Sequence, residues 1–212
     1  LSFISSKYIC QITLIFNFAL IFFCSENGYS QTFKSGIIGG FCMSQISGDD
    51  LGGYDKPGAI IGMFLNKKTS LKWEAELQMF YIQKGSRKYP DIKNGSNARY
   101  SLNLNYIEVP LIFRYKIKNI FLEFGISNSA MFKQYVGNES GEFPANSNQA
   151  APFHKWELSY NLGAAYSLGK HFEICGRINH SILPVRIKSF IYRWIDKGQF
   201  NDLLVWVLKY KF

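Results

Sequence analysis

The sequence predicts an all-β fold: an eight-stranded antiparallel up-and-down transmembrane β-barrel, preceded by a cleavable signal peptide. Three observations predict it. Apolar residues recur at every second position over long runs; the polar breaks between those runs alternate long and short; and Trp or Tyr brackets several of the apolar stripes. The alternation is clearest where Trp156, Leu158, Tyr160, Leu162, Ala164, Tyr166 and Leu168 interleave with Glu157, Ser159, Asn161, Gly163, Ala165 and Ser167. Period two gives a strand two unlike faces. After Gly169-Lys170 the pattern resumes as Phe172, Ile174, Ile178 and Ile182 against Glu173, Arg177, Asn179 and Ser181, which reads as a β-hairpin. Trp156 and Tyr166 stand about ten residues apart, the span of a lipid-facing strand with an aromatic girdle at each interface.

Bulk properties agree. A chain of 212 residues suits a single barrel domain, here residues 31–212 after a signal peptide at 1–30. Mean hydropathy near zero excludes a polytopic helical membrane protein but not a barrel, half of whose strand residues face a polar lumen. The formal charge of +9 is scattered, with no basic helix or stripe, so nucleic acid is not an expected partner. The signal peptide is read from Lys7, the apolar run Ile9–Phe23 and small residues at Gly28 and Ser30 before Gln31. Cys10 and Cys24 fall within it; a lipoprotein anchor at Cys24 is disfavoured by bulky Phe23. Cys42 and Cys175 then remain, without metal-ligand spacing, and read as two small buried side chains, with a disulfide left open.

The elements follow in order. A Gly-rich strand at 34–46 leads through a polar loop at 47–55 to a second strand at 56–65 and a short turn at 66–69. The third is sharply written, Leu71, Trp73, Ala75, Leu77, Met79 and Tyr81 against Lys72, Glu74, Glu76 and Gln78. A long loop at 84–99 precedes the fourth strand, whose apolar phase switches: Tyr100, Leu102, Leu104 and Tyr106 are even, Ile107, Val109, Leu111, Phe113, Tyr115 and Ile117 odd. A β-bulge or a change of environment is expected at Tyr106-Ile107, and Pro110 signals local irregularity. After the tight turn Lys118-Asn119 comes a fifth strand from Ile120, then a long loop at 133–152. The hairpin described above supplies two more strands. A loop at 183–199 leads to the last, where Leu204, Trp206, Leu208, Tyr210 and Phe212 alternate with Val205, Val207, Lys209 and Lys211.

Eight strands with connections running long, short, long, short, long, short, long match an outer-membrane barrel with short periplasmic turns. A soluble ligand-binding barrel would turn its apolar stripe inward instead. The lipid reading makes Trp73, Tyr81, Trp156, Tyr166, Trp206, Tyr210 and Phe212 lipid-interface aromatics, with outer-membrane lipid as the surroundings. It also makes Glu74, Glu76, Glu108, Arg114, Lys116, Glu123, Glu173 and Arg177 polar-phase candidates for a barrel interior. Eight strands enclose a space that side chains fill, and a buried charge needs a partner, so a paired polar network and no open pore are expected.

The runs Gly39–Asp50, Tyr81–Arg87, Leu102–Leu111 and Leu208–Phe212 resemble the PorT-type outer-membrane β-barrel domain of Bacteroidetes, most specifically at Asn105-Tyr106-Ile107-Glu108-Val109-Pro110-Leu111. The resemblance covers residues 33–212. It implies outer-membrane placement, an eight-stranded barrel and, for some members, a link to secretion machinery; it carries no catalytic residue.

No cofactor, metal or catalytic site is expected. His154, His171 and His180 lack HxxxH or HxH spacing and read as rim or turn histidines. Two further readings compete with a non-enzymatic barrel whose long loops bind envelope or secretion proteins or glycans. One is a membrane-embedded hydrolase or acyltransferase at the outer rim, built on His180-Ser181 with Asp49 or Asp50, and favoured if His180 or His154 meets a Ser or an acid there. The other is a soluble periplasmic ligand-binding barrel.

Overall fold

A computed structural model describes residues 33–48, 53–89, 100–138, 141–144, 153–186 and 198–212. The expected signal peptide and Asp49 and Asp50 lie outside these residues, as do parts of each long loop. The strands are β1 (Phe33–Ser47), β2 (Lys56–Lys68), β3 (Trp73–Lys88), β4 (Tyr100–Ile117), β5 (Ile120–Asn138), β6 (Gly141–Pro144), β7 (Trp156–Leu168), β8 (Phe172–Ser181) and β9 (Phe200–Lys211). Eight of them form a closed antiparallel ring, β1-β2-β3-β4-β5-β7-β8-β9, which β9 completes against β1. Closure leaves none of these eight strands as an open edge, the condition hydrocarbon imposes. The short β6 pairs only with the end of β5, as a small hairpin beyond the ring.

Three tight connections, β2–β3, β4–β5 and β7–β8, lie at one end with Phe33 and Phe212; by the barrel rule this end is periplasmic. Lys118 takes a left-handed φ of 55° in the second of these turns, and Gly169 one of 77° in the third.

The direction of the stripes separates membrane barrel from soluble barrel. Trp156, Leu162 and Trp206 are 42, 47 and 39% exposed, whereas Glu76 and Arg177 are 0 and 5% exposed. Apolar side chains therefore face outward and ionisable ones inward, the reverse of a soluble ligand-binding barrel. That alternative is set aside.

Two expectations about the strands change. β3 runs on to Lys88 and β5 to Asn138, so Lys84 and Lys133 sit in strands rather than at the starts of loops. On the extracellular side the outward faces turn polar (Gln83, Asn103, Asn105), and hydropathy alternation ceases to mark a strand that continues by backbone pairing. At the phase switch of β4 a register shift does fall between Asn105 and Tyr106, but the extra residue is not in β4 itself. Its even residues face inward throughout, from Leu102, Leu104 and Tyr106 to Glu108, Ile112 and Arg114. What changes is the character of the inward residues themselves, apolar from Leu102 to Tyr106 and charged at Glu108 and Arg114. The irregularity lies across the ladder on β5, where Asn105 pairs with Lys133 but Tyr106 pairs with Met131, leaving Phe132 as the extra residue. On the other side of β4, Pro110 falls between the pairs Leu77↔Leu111 and Phe80↔Glu108, which keep one register across the gap.

Candidate functional site

Strand parity decides what enters the lumen. Even residues of β1–β4 and odd residues of β7–β9, with those of β5 below Phe132, point inward. Ile38, Cys42 and Ile46 of β1, Ile60 and Phe64 of β2, Phe80 and Ile82 of β3, Leu102, Leu104 and Tyr106 of β4, and Leu203, Val205 and Val207 of β9 give one side of the lumen an apolar packing core. The other side is polar, and its charges fall into two groups.

The periplasmic group centres on Arg114. Its Nε reaches Glu123 at 3.0 Å, Nη1 reaches both Glu74 and Glu76 at 3.0 Å, and Nη2 bonds Glu173. The Phe121 ring lies 4.1 Å from the guanidinium carbon. Arg177 donates through Nε to the second oxygen of Glu123 at 2.6 Å and through Nη1 to Gln78 at 2.8 Å. Lys209 contacts Glu76 at 2.6 Å, Glu123 at 3.2 Å and Glu173 at 3.3 Å, and Lys211 closes the group on Glu173 at 2.6 Å. Four carboxylates thus meet four cations. Taking an ion of this kind out of water carries a desolvation penalty of several kcal/mol, and multidentate pairing is what offsets it. The Cys175 thiol donates to Glu123 at 3.0 Å, and Cys42 donates to the Gln83 carbonyl at 3.2 Å. Both thiols are free and buried.

The extracellular group is smaller. Lys84 lies between Glu108 at 2.8 Å and Glu157 at 3.0 Å, with the Tyr106 ring 5.0 Å from its ammonium. Ser181 and the Asn201 amide each donate to Glu157 at 2.8 Å, and the Asn179 amide donates to Glu108 at 3.1 Å. Asn179 also binds Ser159 and Asn161, so a neutral amide-hydroxyl layer with Ser127 separates the two charged groups.

Of the interior candidates, the structure brings Glu76, Glu108, Arg114, Glu123, Glu173 and Arg177 into the lumen, buried; Glu74 sits half-buried at the periplasmic rim, and Lys116 stays exposed there. Sequence reasoning passed over Lys84, Glu157, Lys209 and Lys211. A signal existed for three of them: they share the phase opposite the Trp156–Leu168 and Leu204–Phe212 stripes. Lys84 had none, since it follows the last alternating residue of its strand.

All seven interface aromatics point outward. Trp73, Tyr166, Tyr210 and Phe212 gather toward the periplasmic end and Trp156 at the other. Trp206 departs from an interface position. It lies mid-strand between Leu204 and Leu208, stacked on Phe41 at 5.3 Å.

At the outer rim His180 Nδ1 bonds one oxygen of Asp202, and the Ser47 hydroxyl donates to the other. The ring stacks on Phe200 at 5.9 Å and tilts against Tyr160. The serine therefore bonds the acid, not the imidazole, and Ser181 turns inward to Glu157. His171 is far away, bonded to the Lys211 carbonyl at the periplasmic turns. Among the described residues no three His, Cys, Asp or Glu side chains converge as a metal cluster.

Solved structures similar to this chain include Ail, the attachment invasion locus protein of Yersinia pestis, in complex with the heparin analogue sucrose octasulfate. It is 12% identical, with 85% of this chain and 99% of that one covered at a TM-score of 0.47. Neisserial surface protein A is 10% identical, with 87% and 100% covered at 0.49. OprG from Pseudomonas aeruginosa is 14% identical, with 86% and 97% covered at 0.40. No curated protein matches the sequence. A family model described as an outer membrane protein beta-barrel domain matches residues 27–185, most of the chain. The closed ring with its outward apolar stripes and this match have one meaning: the chain belongs to the outer membrane protein β-barrel domain family, and its place is the outer membrane.

Proposed function

We propose that this barrel is a non-enzymatic scaffold of the outer membrane whose extracellular loops bind an envelope or secretion protein or a glycan. One observation carries the reading: the charged side chains at the centre of the lumen are paired with one another. Arg114, Arg177, Lys209 and Lys84 are each held by carboxylates inside a closed ring, so these central charges are engaged with one another rather than offered to a transported solute. Binding then falls to the loops, where a rigid scaffold normally carries it. The resemblance to the PorT-type domain of Bacteroidetes supports a partner in the secretion machinery. The test is affinity capture from envelopes with the tagged full chain and with a variant whose 90–98 and 145–152 segments are replaced by short Gly-Ser turns. The reading predicts defined partners captured by the first and lost by the second, and no steady conductance from either in planar bilayers. Identical capture by both, or a stable conductance, contradicts it.

A second reading, a rim hydrolase or acyltransferase, is favoured by the contact of His180 with Asp202. A Ser-His-acid relay needs the hydroxyl on the imidazole, and here Ser47 occupies the acid. Release of fatty acid from outer-membrane lipid by the purified barrel, abolished by His180→Ala, is the outcome that reverses the order of the two readings.

A further inference from the structure

On the outer wall, just above the last apolar outward residues of β3 and β4, the barrel carries an open groove of about 420 Å³ shared by β3, β4 and β5. Its floor is a chain of polar groups: the Gln83 amide donates to the Tyr81 hydroxyl at 2.8 Å, and that hydroxyl donates to Asn105 Oδ1 at 2.8 Å. Gln83 is fixed in turn by the backbone N–H of Ala59, which donates to its Oε1 at 3.2 Å. The wall comes from the irregularity on β5. One inserted residue lets Phe132 and Lys133 emerge together on the outer face, where simple alternation would turn one of them inward. Phe132 stands 6.0 Å from the Tyr81 ring, and Tyr135 bounds the other side. The Lys133 ammonium and the Asn103 amide have no side-chain partner among the described residues.

This is a combined chemistry. Aromatic faces suit the C–H faces of a sugar ring, amides suit its hydroxyls, and an unpaired ammonium suits phosphate. Height selects the source. Ile107, paired with Tyr81, and Val109 are the last exposed apolar outward residues of β4, so Tyr81 stands at the top of the apolar band and the rest of the groove where outer-leaflet headgroups begin. We propose that the groove seats the phosphorylated saccharide headgroup of an outer-leaflet glycolipid. Lys133 takes the phosphate, Phe132, Tyr81 and Tyr135 lie along the sugar, and Asn103 and Asn105 meet its hydroxyls. The site belongs to the barrel wall and is independent of any loop partner.

The test titrates the purified full chain in detergent with bis-phosphorylated lipid A, scored by native mass spectrometry, beside phosphatidylglycerol and soluble glucosamine 1-phosphate. Lipid A is expected to bind at one site. Lys133→Gln and Phe132→Ala are each expected to weaken it by about tenfold or more, the scale of one charge-assisted contact. Lys170→Gln, exposed in the β7–β8 turn at the opposite end of the barrel, is expected to change nothing. Circular dichroism and heat-shifted gel mobility establish that each variant folds. Unchanged affinity in both groove variants overturns the proposal, as does phosphatidylglycerol binding equally well. Glucosamine 1-phosphate binding as tightly as lipid A also overturns it, because the occupant is then a free phosphosugar.

Discussion

Arg114 contacts four carboxylates, Glu74, Glu76, Glu123 and Glu173, and is 1% exposed. Replacing it with Met leaves their charge to Lys209, Arg177 and Lys211 alone. Breaking a buried pair from one side costs about 3–5 kcal/mol, so Arg114→Met is expected to lower stability by that amount in urea unfolding from lipid vesicles. Adding Glu123→Gln to the same chain is expected to restore part of the loss, because it removes one of the stranded charges. A loss below about 1 kcal/mol would instead assign Arg114 the weak role of an exposed pair. Lys118 presents the opposite case, a local misfit. A non-glycine residue at φ 55° is strained, and Asn tolerates that region better. Lys118→Asn is therefore expected to stabilise the barrel by up to about 1 kcal/mol in the same assay. At this scale the sequence was informative wherever charge fell on a well-phased strand, as at Glu76, Arg114 and Arg177. It was silent on which partner each would meet, since Arg114 and Glu173 are 59 positions apart and meet across the lumen.

Among the elements, β7 and β9 were legible because lipid demands an unbroken apolar stripe on one face. β1 was not. Ile38, Cys42 and Ile46 face inward while Ile37, Phe41 and Met43 face outward, so both phases are apolar and hydropathy cannot separate them. Strand ends were misread for a related reason: above the lipid, β3, β4 and β5 are polar on their outward face and continue by hydrogen bonding alone. The boundary between the two regimes is measurable. An arginine at Leu162, facing lipid within β7, is expected to cost about 2–4 kcal/mol, whereas one at Asn103, outward on β4 above the apolar band, is expected to cost about 0–1 kcal/mol. Equal costs at the two positions would place the membrane boundary elsewhere on the wall.

For the whole molecule, closure and charge balance act together. The two lumen groups hold five cations (Lys84, Arg114, Arg177, Lys209, Lys211) and six carboxylates (Glu74, Glu76, Glu108, Glu123, Glu157, Glu173), so the formal charge of +9 is carried elsewhere in the chain. Strand number, ring order and the end bearing the short turns could be anticipated from connection lengths, because barrel topology ties all three together. The outer-wall groove could not. It depends on one inserted residue at Phe132, which leaves no mark in composition or period.

Which way the stripes face decides between a lipid-embedded and an inverted barrel, and paired spin labels in lipid vesicles address that directly. A label at Leu162 should collide freely with membrane-dissolved oxygen and rarely with a water-soluble nickel complex, while its neighbour at Asn161 should be shielded from both. A label at Leu162 open to nickel, with Asn161 open to oxygen, would mean that the charged residues face the lipid and that the interior described here does not exist.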